Sequence, residues 1–141
     1  MREFITESPE ETEAVGRELI RDFGPDQLFC LIGPLAAGKT TLVKGMAREL
    51  EIEKTIVSPS YVLLREYGGS SDLFHLDLFR INSGAEFIEA GLEDYLLKDS
   101  GTVVIEWAGR IEEILPEGRV DVRFELAGEK RRKITVLPQL D

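Results

Sequence analysis

The chain has 141 residues, 43% of them hydrophobic and 31% charged, and carries a net charge of −10. That length suits one domain with a substantial core, and the composition is that of a globular chain rather than a disordered one. So negative a balance repels phosphate backbones and argues against a free-standing nucleic-acid binder, and no run approaches the roughly 18 apolar residues that a membrane helix needs.

The acidic start, MREFITESPEE, lacks the apolar stretch of a signal peptide. Residues 3–5 read as a short strand. Ser8-Pro9-Glu10-Glu11 forms a capping box with proline at the first helical position. Val15, Leu19 and Phe23 follow at four-residue spacing, and Gly24-Pro25 stops that helix. Next, LFCLI at 28–32 is a short continuous apolar run, as expected of a strand covered on both faces. It holds the sole cysteine, Cys30, so no intrachain disulfide can form; a buried thiol in a reducing cytoplasm is the expectation.

Directly behind this strand stands Gly33-Pro34-Leu35-Ala36-Ala37-Gly38-Lys39-Thr40, then Thr41, which fits G-x-x-x-x-G-K-[ST]. Glycines let the backbone curl so that successive N–H groups face one anion, and the following helix adds its positive end. In such a loop the lysine, here Lys39, reaches the β- and γ-phosphates of a nucleotide, and the Thr40 hydroxyl ligates Mg²⁺. Leu42, Val43, Met46, Ala47 and Leu50 mark the apolar face of the helix that begins near Lys39. The motif thus sits between a buried strand and an amphipathic helix, which is the context its chemistry requires.

Ile56 and Val57 precede SPSYVLLREY, a loop feeding a strand, and Asp72–Arg80 is predicted to be a strand. Ser83-Gly84-Ala85-Glu86 is a second capping box, predicted to open a helix running to about Lys98. Thr102–Ile105 is another buried strand, ending at Glu106-Trp107. Beyond Pro116, VDVRFEL and RRKITVL alternate around Ala127-Gly128-Glu129 as an antiparallel hairpin. The whole reads as one domain, residues 1–141: a three-layer α/β fold of the P-loop NTPase type. Its sheet is mostly parallel with helices on both faces, and the antiparallel hairpin extends one edge.

A phosphate loop needs acids at neighbouring strand ends to hold Mg²⁺ and orient a nucleophile. Asp77 and Glu106 stand at the carboxyl ends of two predicted strands, where α/β sheets bind ligands. His75, the only histidine, precedes Asp77 by two residues on the same strand face, where a supporting or core role outweighs catalysis. No N-K-x-D is present to read a guanine base, and few residues remain for a kinase lid and acceptor pocket. ATP hydrolysis coupled to a partner is therefore favoured over two alternatives, a small-molecule kinase and a nucleotide-dependent interaction module. The run Lys130-Arg131-Arg132-Lys133 is either a solvated hairpin tip or a contact to phosphate, RNA or adenine.

Taken together, GPLAAGKTT at 33–41, SPSYVL at 58–63, HLDLFRI at 75–81 and IEW at 105–107 resemble the TsaE (YjeE) family of bacterial ATPases in tRNA threonylcarbamoyladenosine biosynthesis. The resemblance implies a small ATPase that works with two partner proteins, of TsaB and TsaD type, which install threonylcarbamoyl on adenosine 37 of tRNA. It would meet tRNA only through them, and no membrane is involved. It further implies ATP and Mg²⁺ as cofactors. Gly33 through Thr41, with Asp77, Trp107 and Arg131, would line the nucleotide site; Thr40 and Glu106 would bind the metal; Lys39, Asp77 and Glu106 would carry the catalysis, with Asp77 positioning water. Arg131 would stand near the adenine, and Ser58–Tyr61 would form a switch-like loop. Pro34, Ala36, Ser60 and Phe79 depart from the usual family residues. Alanine at 36 requires either a negative φ or tolerance of strain.

Overall fold

LFCLI at 28–32 is the middle strand of a seven-stranded sheet in a computed structural model that describes residues 1–58 and 63–138. In chain order the elements are β1 (Arg2–Thr6), α1 (Pro9–Phe23), β2 (Leu28–Ile32), α2 (Lys39–Glu49), β3 (Leu64–Tyr67), β4 (Leu73–Asp77), α3 (Gly84–Glu89), β5 (Thr102–Glu106), β6 (Val120–Leu126) and β7 (Arg132–Pro138). Short 3₁₀ turns cover Glu93–Leu97 and Ala108–Ile114. Strand order is β1-β7-β6-β2-β5-β4-β3. The four central strands, β6, β2, β5 and β4, run parallel. Antiparallel pairing extends both edges, not one as expected: β7 and β1 on one side, β3 on the other. Among the described residues no helix is long and apolar enough to cross a membrane.

The continuous apolar runs are explained by two cores. Along β2, Phe29 and Leu31 point into a core beneath α1 and α2, while Leu28, Cys30 and Ile32 point into one beneath α3 and the 3₁₀ turns. On β5, Val104 faces the first core and Val103 and Ile105 the second. Strand side chains alternate faces, so a strand covered twice must be apolar throughout. The alternation also decides where polar residues emerge. His75 and Asp77 share the parity of Leu73, and Glu106 that of Val104, so all three open on the α1/α2 face.

Helix α1 starts as its capping box predicts, with the Glu11 N–H donating to Ser8 Oγ at 3.1 Å. The Glu11 carboxylate accepts from the Glu7 N–H at 2.7 Å, one residue earlier than in the standard box. Helix α1 packs directly along α2. A Cβ at Gly16 would run into the Leu42 carbonyl, and one at Gly45 into the Glu13 carbonyl, so the two backbones touch. Leu19, Leu42 and Met46 are fully buried at this junction, each contributing about 1.5–3 kcal/mol of burial free energy.

Two predicted elements end early. The helix expected to reach Lys98 stops at Glu89, because Gly91 turns left-handed (φ 78°). Gly91 N–H donates to Ile88 O and Leu92 N–H to Phe87 O, closing a Schellman cap. The strand expected over Asp72–Arg80 stops at Asp77, whose Oδ1 accepts from the Phe79 N–H at 2.9 Å and bends the chain out of the sheet.

Candidate functional site

Parallel strands deliver their carboxyl ends to one rim of the sheet, and register fixes which residues meet there. Asp77 of β4 lies opposite Glu106 of β5, and Leu31 of β2 is also opposite Glu106. The loop leaving β2 therefore passes directly over both acids. It turns into α2 at Gly38, which is left-handed (φ 98°) and caps the helix without a side chain. The first helical bond, Leu42 N–H to Gly38 O, follows at 2.9 Å.

Ala36 adopts φ 59°, so the loop accepts left-handed strain at this position. The Arg132 guanidinium donates to its carbonyl at 3.3 Å. Lys39 is buried, and its Nζ donates to Gly33 O at 2.6 Å and lies 3.7 Å from the centroid of the Trp107 ring. Burial holds the Lys39 ammonium below the ordinary lysine pKa, while the charges of Glu106 and Asp77 pull it back up. Thr40 Oγ1 donates to Glu106 Oε2 at 2.9 Å, and His75 Nε2 meets the same oxygen at 2.6 Å. Asp77 is fixed from two sides, with Oδ2 accepting from Ser58 Oγ at 3.3 Å in addition to the Phe79 N–H.

Trp107 holds a left-handed backbone (φ 61°) at the head of the second 3₁₀ turn. Its ring packs on Phe79 at 5.3 Å and under the Arg110 guanidinium, which is anchored on the Phe79 and Ile81 carbonyls.

Leu35 through Thr41, Asp77, Glu106 and Trp107 thus line one cavity of about 810 Å³, within the usual range for small-molecule sites. Gly33 and Pro34 do not; they lie behind the loop on a smaller cavity of about 430 Å³ against Trp107 and Arg110. Arg131 does not line it either, although its guanidinium pairs at 2.8 Å with Glu7, which does; Lys130 and Arg132 are the hairpin-tip cations that line the cavity. Of the expected switch-like segment, Ser58 is described, whereas Pro59, Ser60 and Tyr61 lie outside the described residues.

Sequence reasoning did not point to Glu7, Ser8 and Thr12, which form the cavity's far wall. They arrive because β1 pairs with β7, bringing the start of α1 beside the hairpin tip. No local pattern encodes that meeting. Chemically, the arrangement offers a buried ammonium, a helix N-terminus, a hydroxyl and two carboxylates at one mouth. That set suits a polyphosphate with a hard divalent cation. Among the described residues no group of three or more histidine, cysteine, aspartate or glutamate side chains is gathered to hold a metal alone.

Residues 6–134 match the family model described as threonylcarbamoyl adenosine biosynthesis protein TsaE. The chain is 37% identical over 131 residues to the tRNA threonylcarbamoyladenosine biosynthesis protein TsaE of Bacillus subtilis, covering 92% of this chain and 81% of that protein. It is 35% identical to the Treponema pallidum protein of the same name, covering 94% and 97%. The crystal structure of Bacillus subtilis YdiB superposes with a TM-score of 0.81 at 33% identity, covering 99% of this chain and 86% of that one.

Proposed function

Since the chain belongs to the TsaE family of tRNA threonylcarbamoyladenosine biosynthesis proteins, we propose that it is the pathway's Mg²⁺-dependent ATPase, slow alone and driven by partner proteins of TsaB and TsaD type. The observation that carries this reading is the convergence of Lys39, Thr40, Asp77 and Glu106 beneath one cavity. The amides at the start of α2 and the Lys39 ammonium bind the phosphates. Thr40 and Glu106 supply two hard oxygens of the kind Mg²⁺ takes alongside water and phosphate. The bound cation would neutralise charge developing on the phosphoryl group. Asp77, held by Ser58 and the Phe79 amide, orients the attacking water.

Partner dependence is supported at the rim, where Leu35 and Phe79 leave 65% and 42% of their surface exposed. Apolar side chains at the lip of a polar cavity suit a docking protein. The acidic balance of the chain suits a basic face on that partner.

The test is the ATPase rate with and without the partner pair, for wild type and Lys39→Ala. Wild type should hydrolyse slowly, accelerate on adding the pair, and lose about 10²–10³-fold in Lys39→Ala. Failure to bind ATP at millimolar concentration would overturn the reading. Partner-independent phosphoryl transfer to a metabolite would replace it with a kinase, and stoichiometric partner binding without turnover would replace it with a nucleotide-dependent interaction module.

A further inference from the structure

His75 is the only histidine in the chain, and it is wholly buried. It lies opposite Val104, one side chain deeper in the sheet than the paired acids Asp77 and Glu106, so it cannot line the cavity. Its Nε2 nevertheless reaches Glu106 Oε2 at 2.6 Å, the oxygen that also takes the Thr40 hydroxyl. A carboxylate oxygen accepts, so Nε2 carries the ring proton and donates it. Nδ1, by contrast, is the one buried side-chain polar atom without a hydrogen-bond partner among the described residues.

That asymmetry separates two roles. A residue kept for packing between β4 and α2 would leave no nitrogen unsatisfied if it were leucine, as its neighbours Leu73 and Leu76 are. An imidazole there gives up one hydrogen bond and gains one thing in return: a donor from below that fixes the Glu106 carboxylate. We infer that His75 is a positioning residue, holding Glu106 Oε2 against Thr40 so that the hydroxyl and the carboxylate present a preset pair of oxygens to a magnesium-bound nucleotide. The inference rests on the ATPase reading and deepens it. His75 touches neither nucleotide nor metal; it acts through Glu106.

The readout is the gain in ADP affinity that Mg²⁺ confers, measured by calorimetry with and without the cation, so that hydrolysis plays no part. His75→Leu should lose about 10–100-fold of that gain while its metal-free ADP affinity stays within about twofold of wild type. His75→Gln, whose amide nitrogen extends as far as Nε2, should recover most of it, and the shorter His75→Asn should not. If His75→Leu does not fold, the glutamine and asparagine variants decide, and equal behaviour of those two overturns the inference. Full retention of the magnesium gain in His75→Leu also overturns it, as does an equal loss of affinity with and without the cation. Absence of any ADP binding, or of any magnesium gain, in the wild type would instead bring down the ATPase reading itself.

Discussion

At Ala36 the backbone is left-handed, which costs an L-residue about 1–2 kcal/mol that glycine escapes. Glycine gives back about 0.5–1 kcal/mol through the entropy of the unfolded chain. Ala36→Gly should therefore gain at most about 1.5 kcal/mol in urea unfolding, whereas Ala36→Val, β-branched in the same conformation, should lose about 1–2 kcal/mol. Cys30 makes a second prediction, in pH. Burial, reinforced by the Asp121 carboxylate, pushes its thiol up to about 12 from 9.0. Above pH 9 the unfolded thiol loses a proton that the folded one keeps. The stability linked to it is intact below pH 9 and falls by about 1.4 kcal/mol per pH unit from there toward 12. The stability gap between wild type and Cys30→Ala should narrow by about 2 kcal/mol between pH 8 and pH 10.5. A constant gap would show that the thiol titrates normally.

Among elements, the contact of α1 with α2 is the most demanding, because backbone meets backbone at Gly16 and Gly45. A methyl at Gly45 cannot be accommodated by rotating a side chain, so Gly45→Ala should cost about 3 kcal/mol. It should also weaken nucleotide binding, since α2 carries Lys39 and Thr40 at its first turn. Gly109→Ala, with open space around it, is the control and should stay within about 0.5 kcal/mol. Elements were legible in the sequence where their signal is local. The runs at 28–32 and 102–105 announced strands covered on both faces because alternate residues feed two cores. The loop after β2 was legible because its residues are contiguous, and the two acids because they close strands. The end of α3 was not, since Ile88, Leu92, Tyr95 and Leu96 keep helical spacing across the break that Gly91 makes. Nor was the choice of Arg132 over Arg131, which depends on the phase with which the 127–131 turn re-enters β7. The edge position of β3 and the far wall of the cavity come from strand order, which no window of sequence contains.

For the whole molecule, 27 acidic residues outweigh 17 basic ones, yet the cavity is lined by Lys39, Arg80, Lys130 and Arg132 against Glu7, Asp77, Glu106 and Glu129. The mouth is thus balanced within an acidic surface. It can admit a compact polyphosphate while the surrounding field repels a long one. The isolated protein should therefore not retard tRNA in a gel at physiological salt, with or without ATP, its affinity being weaker than about 100 μM. Micromolar retardation would show that it contacts tRNA directly. The strand order has a further consequence, for synthesis. β2 is flanked by β5 and β6, both made at least 70 residues later, so until synthesis has passed residue 102 the central strand has no neighbour on either side. Pairings this distant in sequence form slowly. The nascent chain must emerge through β5 and β6 before its signature loop has a floor to rest on.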